Sequence, residues 1–153
     1  SVSNKNVFRG IHFADVPPSQ AKYVTVPRGA IIDFVVDIRV GSPTFGKVES
    51  FELNDINNNS LYIAEGLGHG FLSLEENTVV SYLVSETFHA DREHGINPLD
   101  PELGIVIPIP LNEAIISEKD TNAPSLEEAI TSGILPNWEE CIQFYEFLNE
   151  GQR

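Results

Sequence analysis

Cysteine is nearly absent from this chain of 153 residues: Cys141 stands alone. No internal disulfide can form, and without CxxC or Cys/His spacing neither structural zinc nor a thiol redox pair has its ligands. Basic residues are scarce as well, 9 Lys and Arg against 23 Asp and Glu for a net charge of -14. That excludes a nucleic-acid surface, because a phosphate backbone is held by a basic patch. No apolar run approaches the length of a membrane span, and the opening SVSNKNVFRG has no signal-peptide apolar region, so a cytoplasmic protein off the membrane is expected. Glycine-rich phosphate loops, dinucleotide fingerprints, nucleophile-elbow serines and Cys-His pairings are missing too, which leaves phosphoryl transfer, nucleotide redox and nucleophilic hydrolysis without support. The HxH-plus-Glu spacing of metal-binding β-barrels is lacking, and no metal is expected.

What is present suits one globular domain, with 41% hydrophobic and 21% charged residues. From Phe8 to about Pro110 short β-type runs alternate with turn signals, as in an all-β sandwich or barrel. AKYVTV and AIIDFVVDIRV flank Pro27-Arg28-Gly29, a tight-turn combination. Along the second run Ile32, Phe34, Val36, Ile38 and Val40 fall on one face and Asp33, Val35, Asp37 and Arg39 on the other, giving a core side and a polar side. GSPTFG reads as a loop, and KVESFEL and SLYIAEG as strands about an NDINNN turn. FLSLEENTVVSYLVS reads as a hairpin turning at Glu76-Asn77, and GIVIPIP as a proline-interrupted edge strand. Past Pro110 the character changes. Ser125-Leu126-Glu127-Glu128 has capping-box spacing with Gly133 as a stop, and Trp138, Cys141, Ile142, Tyr145 and Leu148 recur near helical spacing, which makes Cys141 a helix-face residue. The expected organisation is a single domain, a β core over 1–110 with a helical tail over 111–153 packed on it.

The charge is unevenly spread. Residues 1–47 hold Lys5, Arg9, Lys22, Arg28, Arg39 and Lys47 against only Asp15, Asp33 and Asp37, so the region is locally positive in an acidic chain. A small anionic ligand could be drawn there, although scattered surface charge reads the same way. His12 lies inside the apolar run RGIHF, where a histidine is more often hydrogen-bonded structure than chemistry. His69 sits between glycines in GHG, which admits a ligand close to the backbone or simply shapes a bend. His89 and His94 fall in a polar stretch that reads as solvated, Tyr82 reads as strand packing, and Asp120 in SEKDTNAP as a turn or cap residue.

The succession FRGIHF, PPSQAKYV, VVDIRVGSPTFGK, LYIAEGLGHGF, Tyr82, EHGINPLDPELGI and SEKD resembles the dTDP-4-dehydrorhamnose 3,5-epimerase family over most of the chain, with VDIRVGSPTFGK its most specific stretch. RGIHF, PPSQAKYV and VGSPTFG are closer to the branch serving deoxysugars of natural products than to the rhamnose branch. The resemblance implies a cupin-type (jelly-roll) β-barrel with a short C-terminal helical tail, a homodimer, and no metal or redox cofactor. It also implies roles: His12 as base, Asp120 as its partner in a His-Asp dyad, Tyr82 as acid on the opposite side of the sugar, Lys22 and His69 near the sugar ketone, and Arg9 near the diphosphate. Family members carry a further N-terminal segment ahead of the RGIHF strand, so the chain is expected to be a fragment or a short relative, with a weaker dimer and altered nucleotide affinity. Phe88 stands where many relatives have a second tyrosine. Arg9 and His12 are three apart, and strict alternation sends them to opposite faces unless Gly10 allows a bulge.

The implied chemistry suits these residue types. A C4 ketone acidifies the protons on C3 and C5, because removing either leaves an enolate, and inversion then needs a base on one face and an acid on the other. A neutral imidazole, of reference pKa about 6.5, and a phenol, about 10, fit those tasks near neutral pH. A lysine beside the enolate oxygen stabilises charge where it develops. The expected function is therefore epimerisation of a dTDP-4-keto-6-deoxyhexose at C3, C5 or both. The alternatives are a sugar-nucleotide-binding cupin without activity and a ketoisomerase of the same substrate class.

Overall fold

The computed structural model describes residues 1–151. Ten strands and three helices follow one another: β1 (Val2–Ser3), β2 (Val7–Ala14), β3 (Lys22–Arg28), β4 (Ala30–Val36), β5 (Val48–Asn54), β6 (Ser60–Ile63), β7 (Gly68–Ser73), β8 (Thr78–Val84), β9 (Glu93–Gly95), β10 (Ile115–Ile116), α1 (Glu118–Thr121), α2 (Leu126–Ser132) and α3 (Trp138–Glu150). The strands form a four-stranded sheet in the order β1-β8-β3-β6 and a six-stranded sheet in the order β10-β2-β7-β4-β5, with β9 also paired to β2. All pairs are antiparallel except β10 with β2. The fold is thus the expected all-β jelly roll with a short helical tail, its two sheets facing each other without hydrogen-bonding into a closed barrel.

The six-stranded sheet is packed on both faces along its central strands β2, β7 and β4. Val24, Val26, Ile31, Leu53, Ile63, Phe71 and Val80 fill the space between the sheets. On the other side Phe8, Ile11, Phe13, Phe34, Val36 and Leu72 pack against Leu103, Leu126, Ala129 and Leu135 of the later chain. The expected polar side of the AIIDFVVDIRV run is therefore not a solvent face: Asp33 and Asp37 are both buried. Val40 departs from the expected core face and forms a single bridge to Asn137.

Two local expectations give way to the jelly-roll path. The turn at Glu76-Asn77 exists, with Asn77 at φ 55, yet β7 and β8 belong to different sheets and never pair as a hairpin. The same holds at Gly29, where the chain steps from β3 in one sheet to β4 in the other. A turn signal fixes a change of direction, and the apolar partners decide which strand lies beside which. GIVIPIP joins no ladder. Ile105, Ile107 and Ile109 pack on the core in strand-like alternation, while Pro108 and Pro110 offer no N–H for pairing.

The VDIRVGSPTFGK stretch holds the tail on. Arg39 donates to both oxygens of Asp37, at 2.8 and 2.7 Å, and stacks 4.5 Å over the Trp138 ring. Ser42 and Thr44 each donate to Asp37 Oδ2 at 2.6 Å, closing the SPTFG loop on the same carboxylate. Burial alone would raise the Asp37 carboxyl, but these hydrogen bonds win and hold it well below the usual carboxylate range. Tyr145 of α3 donates to the Glu65 carbonyl, and Cys141 on the buried face of the same helix lies against Gly66, its thiol pushed up to about 11 by burial. The capping box at Ser125 and Glu128 starts α2 as expected, and Asn137 caps α3.

Candidate active site

β2 enters the six-stranded sheet with Phe8 on the core face and Arg9 on the face toward the other sheet. Its pairing with β7 runs Phe8↔Leu72 and Arg9↔Phe71, then shifts before resuming at His12↔His69. The extra residue lies at Gly10, φ 118, where a Cβ would stand 2.5 Å from Gly70 Cα and 2.7 Å from the His69 carbonyl oxygen. Only glycine fits so close to the neighbouring backbone. Beyond the bulge the faces are exchanged: Ile11 and Phe13 join the core, and His12 returns to the side of Arg9.

The two sheets enclose a cavity of about 430 Å³ into which Arg9, His12, Lys22, His69, Tyr82 and Phe88 all project. Of the six expected site residues, only Asp120 does not line it. It lies behind His12 on α1, buried, with Oδ1 2.7 Å from His12 Nε2. Its other oxygen accepts from the Gly10 N–H at 3.3 Å, so one carboxylate ties the bulge and the imidazole together. His69, on β7, has Nε2 2.7 Å from Asp33 Oδ2. Asp33 is fully buried and its Oδ1 has no partner among the described residues, an unmet polar group of the kind functional sites carry.

Tyr82 and Lys22 come from the opposite sheet, on β8 and β3. The Tyr82 ring meets His69 edge-on with centroids 6.2 Å apart, so the two walls touch at this point. Burial pushes the Tyr82 hydroxyl up to about 12, with a hydrogen bond to Ser1 opposing, the Asp33 charge adding and Arg9 opposing, so the phenol keeps its proton throughout the neutral range. Burial also lowers the Lys22 ammonium, against the raising influence of Glu93 and Asp33. The arrangement offers an oriented imidazole on one wall and, on the other, a protonated phenol with a desolvated lysine on the neighbouring strand.

Two carboxylates at the site, Asp33 and Glu93, are not singled out by the sequence. Asp33 was legible in kind, since an aspartate inside AIIDFVV poses the same question as a histidine inside RGIHF. Glu93 lines the cavity from β9, and nothing in the polar stretch around it announces a strand. In that same stretch His94 is half-buried rather than solvated, bonded to Asp15 Oδ1 at 2.7 Å, whereas His89 is exposed as expected. Among the described residues no three His, Cys, Asp or Glu side chains converge as metal ligands, and no helix is long and apolar enough to cross a membrane.

The family model described as dTDP-4-dehydrorhamnose 3,5-epimerase matches residues 1–128. A Streptomyces griseus protein named dTDP-4-dehydrorhamnose 3,5-epimerase is 51% identical over 150 residues, covering 98% of this chain and 74% of that one. Its Mycolicibacterium smegmatis namesake is 53% identical over 148 residues, covering 97% and 72%. Among solved structures, ChmJ, a 3'-monoepimerase from Streptomyces bikiniensis in complex with dTDP-quinovose, superposes with a TM-score of 0.91 at 42% identity, covering 100% of this chain and 75% of that one.

Proposed function

The chain belongs to the dTDP-4-dehydrorhamnose 3,5-epimerase family, and from that premise we propose how its pocket inverts a sugar carbon. It is an epimerase of a dTDP-4-keto-6-deoxyhexose. His12 is the base. Its nitrogen facing away from Asp120 takes the proton from C3 or C5, and the electron pair moves onto the C4 oxygen as an enolate. Asp120 fixes the ring and stabilises the imidazolium, which the 2.7 Å contact supports. Lys22 stands by the enolate oxygen with His69, itself oriented by Asp33. Tyr82 then delivers its proton to the same carbon from the other face, and the C4 ketone re-forms. Arg9 is the cation for the diphosphate.

The observation that carries this reading is the origin of base and acid on opposite sheets, His12 on β2 and Tyr82 on β8, across one cavity. Phe88 lines the same cavity without a hydroxyl, so a single phenol serves the ring, and exchange at C3 and C5 should be unequal. The test is turnover in D₂O followed by NMR. Deuterium at C3 or C5 with the carbonyl still at C4 supports epimerisation. A carbonyl moved to C3 would show a ketoisomerase, and binding without exchange an inactive module.

We further infer a homodimer. The outer face of the four-stranded sheet sets exposed Tyr62, Tyr23 and Leu83 side by side in register across three strands, an apolar stripe suited to a second copy. Light scattering should give twice the chain mass, and a monomer at all practical concentrations would contradict it.

A further inference from the structure

Glu93 is at odds with the rest of its pocket. The cavity gathers Arg9 and Lys22, and the substrate brings a diphosphate and forms an enolate, yet Glu93 is a carboxylate in the wall. Against two anions an unpaired carboxylate only repels, so its presence calls for a cation that it serves.

Its placement is built, not incidental. β9 pairs with the end of β2 as His12↔Gly95, Phe13↔His94 and Ala14↔Glu93. Side chains alternate along a strand, so Glu93 and Gly95 share a face and His94 takes the other. A Cβ on Gly95 would lie 3.5 Å from His12 Cδ2, which identifies that face as the one looking at the dyad. His94 anchors the strand from behind, its ring 5.4 Å from Phe13 and its Nε2 2.7 Å from Asp15. Glu93 is thereby aimed into the cavity, and it enters none of the ion pairs formed among the described residues.

We propose that Glu93 is a positioning residue, the counter-charge that holds Lys22 as an ammonium where the enolate forms. The proposal rests on the reading of Lys22 as the partner of that enolate. The titratable and charged groups that line the cavity with Lys22 are Glu93 from β9, Arg9 and His12 from β2, His69 from β7, Tyr82 from β8 and the Ser1 amino group, with Asp33 of β4 behind His69. Only two are carboxylates, and Asp33 is already engaged by His69. Burial drives Lys22 toward the neutral amine, and Glu93 is the largest charge opposing it. A neutral amine would still donate a hydrogen bond, but without the full charge that an enolate needs.

The test follows Lys22 itself, by NMR titration of protein carrying ¹³C at lysine Cε, beside the pH profile of kcat/KM. Removing a nearby negative charge makes an ammonium more acidic. Glu93→Gln should therefore lower the Lys22 midpoint by about one pH unit, and the alkaline limb of kcat/KM should move acidward by a similar amount. Glu93→Asp should keep both closer to the parent. In a Lys22→Arg background, where the cation no longer titrates, the Lys22 limb should be lost and Glu93→Gln should shift no alkaline limb. A Lys22 midpoint unchanged in Glu93→Gln overturns the proposal. A midpoint that falls while the kcat/KM limb stays fixed upholds the pairing and instead removes Lys22 from the enolate.

Discussion

In the proposed mechanism His12 can serve as base only because its surroundings decide where its lone pair points. Asp120 takes one ring nitrogen at 2.7 Å, and its second oxygen holds the Gly10 N–H. The other ring nitrogen has no hydrogen-bond partner among the described residues, and the proposed mechanism assigns it the proton. His12→Ala should lower kcat by about 10²- to 10⁴-fold, the usual worth of a placed general base, and should abolish solvent exchange at the sugar carbon as well as inversion. Asp120→Asn, which keeps the shape but not the charge, should lower kcat less and leave KM near the parent value. Steady-state kinetics with mass-spectrometric deuterium counting checks both, and a His12→Ala enzyme that still exchanges would remove the dyad from the mechanism. At this scale sequence legibility was uneven. His12, Asp120, Tyr82, Lys22, His69 and Arg9 stand out through the family resemblance, each at a position that has an ordinary structural explanation by itself. Asp33 and Glu93 do not stand out, because a carboxylate in an acidic chain draws no notice until its burial or its direction is known.

Elements set the directions of these side chains, and the bulge in β2 matters most. Arg9 and His12 share a face because one extra residue at Gly10 exchanges the two faces of the strand. Their three-residue spacing around a glycine announced that requirement in advance. Gly10→Ala should destabilise the protein by about 3 kcal/mol or more, since the new methyl meets backbone on β7 with no side chain to move aside. Gly46→Ala is the control, also at positive φ (79°) but with nothing within 4 Å of its Cβ, and should cost only about 1 kcal/mol. Urea denaturation measures both, and equal costs would mean that the close approach of β2 and β7 contributes little. Other elements were less readable. The capping box located α2, because a cap is a local device, and the helical spacing from Trp138 to Leu148 located α3. The Glu76-Asn77 turn reads as a hairpin in the sequence but is none, because local turn chemistry is blind to which sheet the next strand joins.

The whole molecule is a layered object whose layers have separate duties. The helical tail and the Asp37-Arg39-Trp138 cluster cover the outer face of the six-stranded sheet, away from the cavity, so the stretch that most specifically marks the family is structural. The inner face meets the four-stranded sheet, and the cavity between them collects local positive charge inside a chain of net charge -14. Composition made the acidic chain and the β class evident, but no local pattern states that two sheets will bring a base and an acid face to face. That juxtaposition is the central claim, and deuterium incorporation by Tyr82→Phe in D₂O tests it most directly. The substitution keeps the ring against His69 and removes only the phenolic proton donor. His12 can still remove a proton and return a deuteron to the same face, so the substrate should gain deuterium at C3 or C5 with its configuration retained, while inversion falls at least about 10²-fold. Inversion at the parental rate would show that Tyr82 is a packing residue and that the proton arrives from elsewhere.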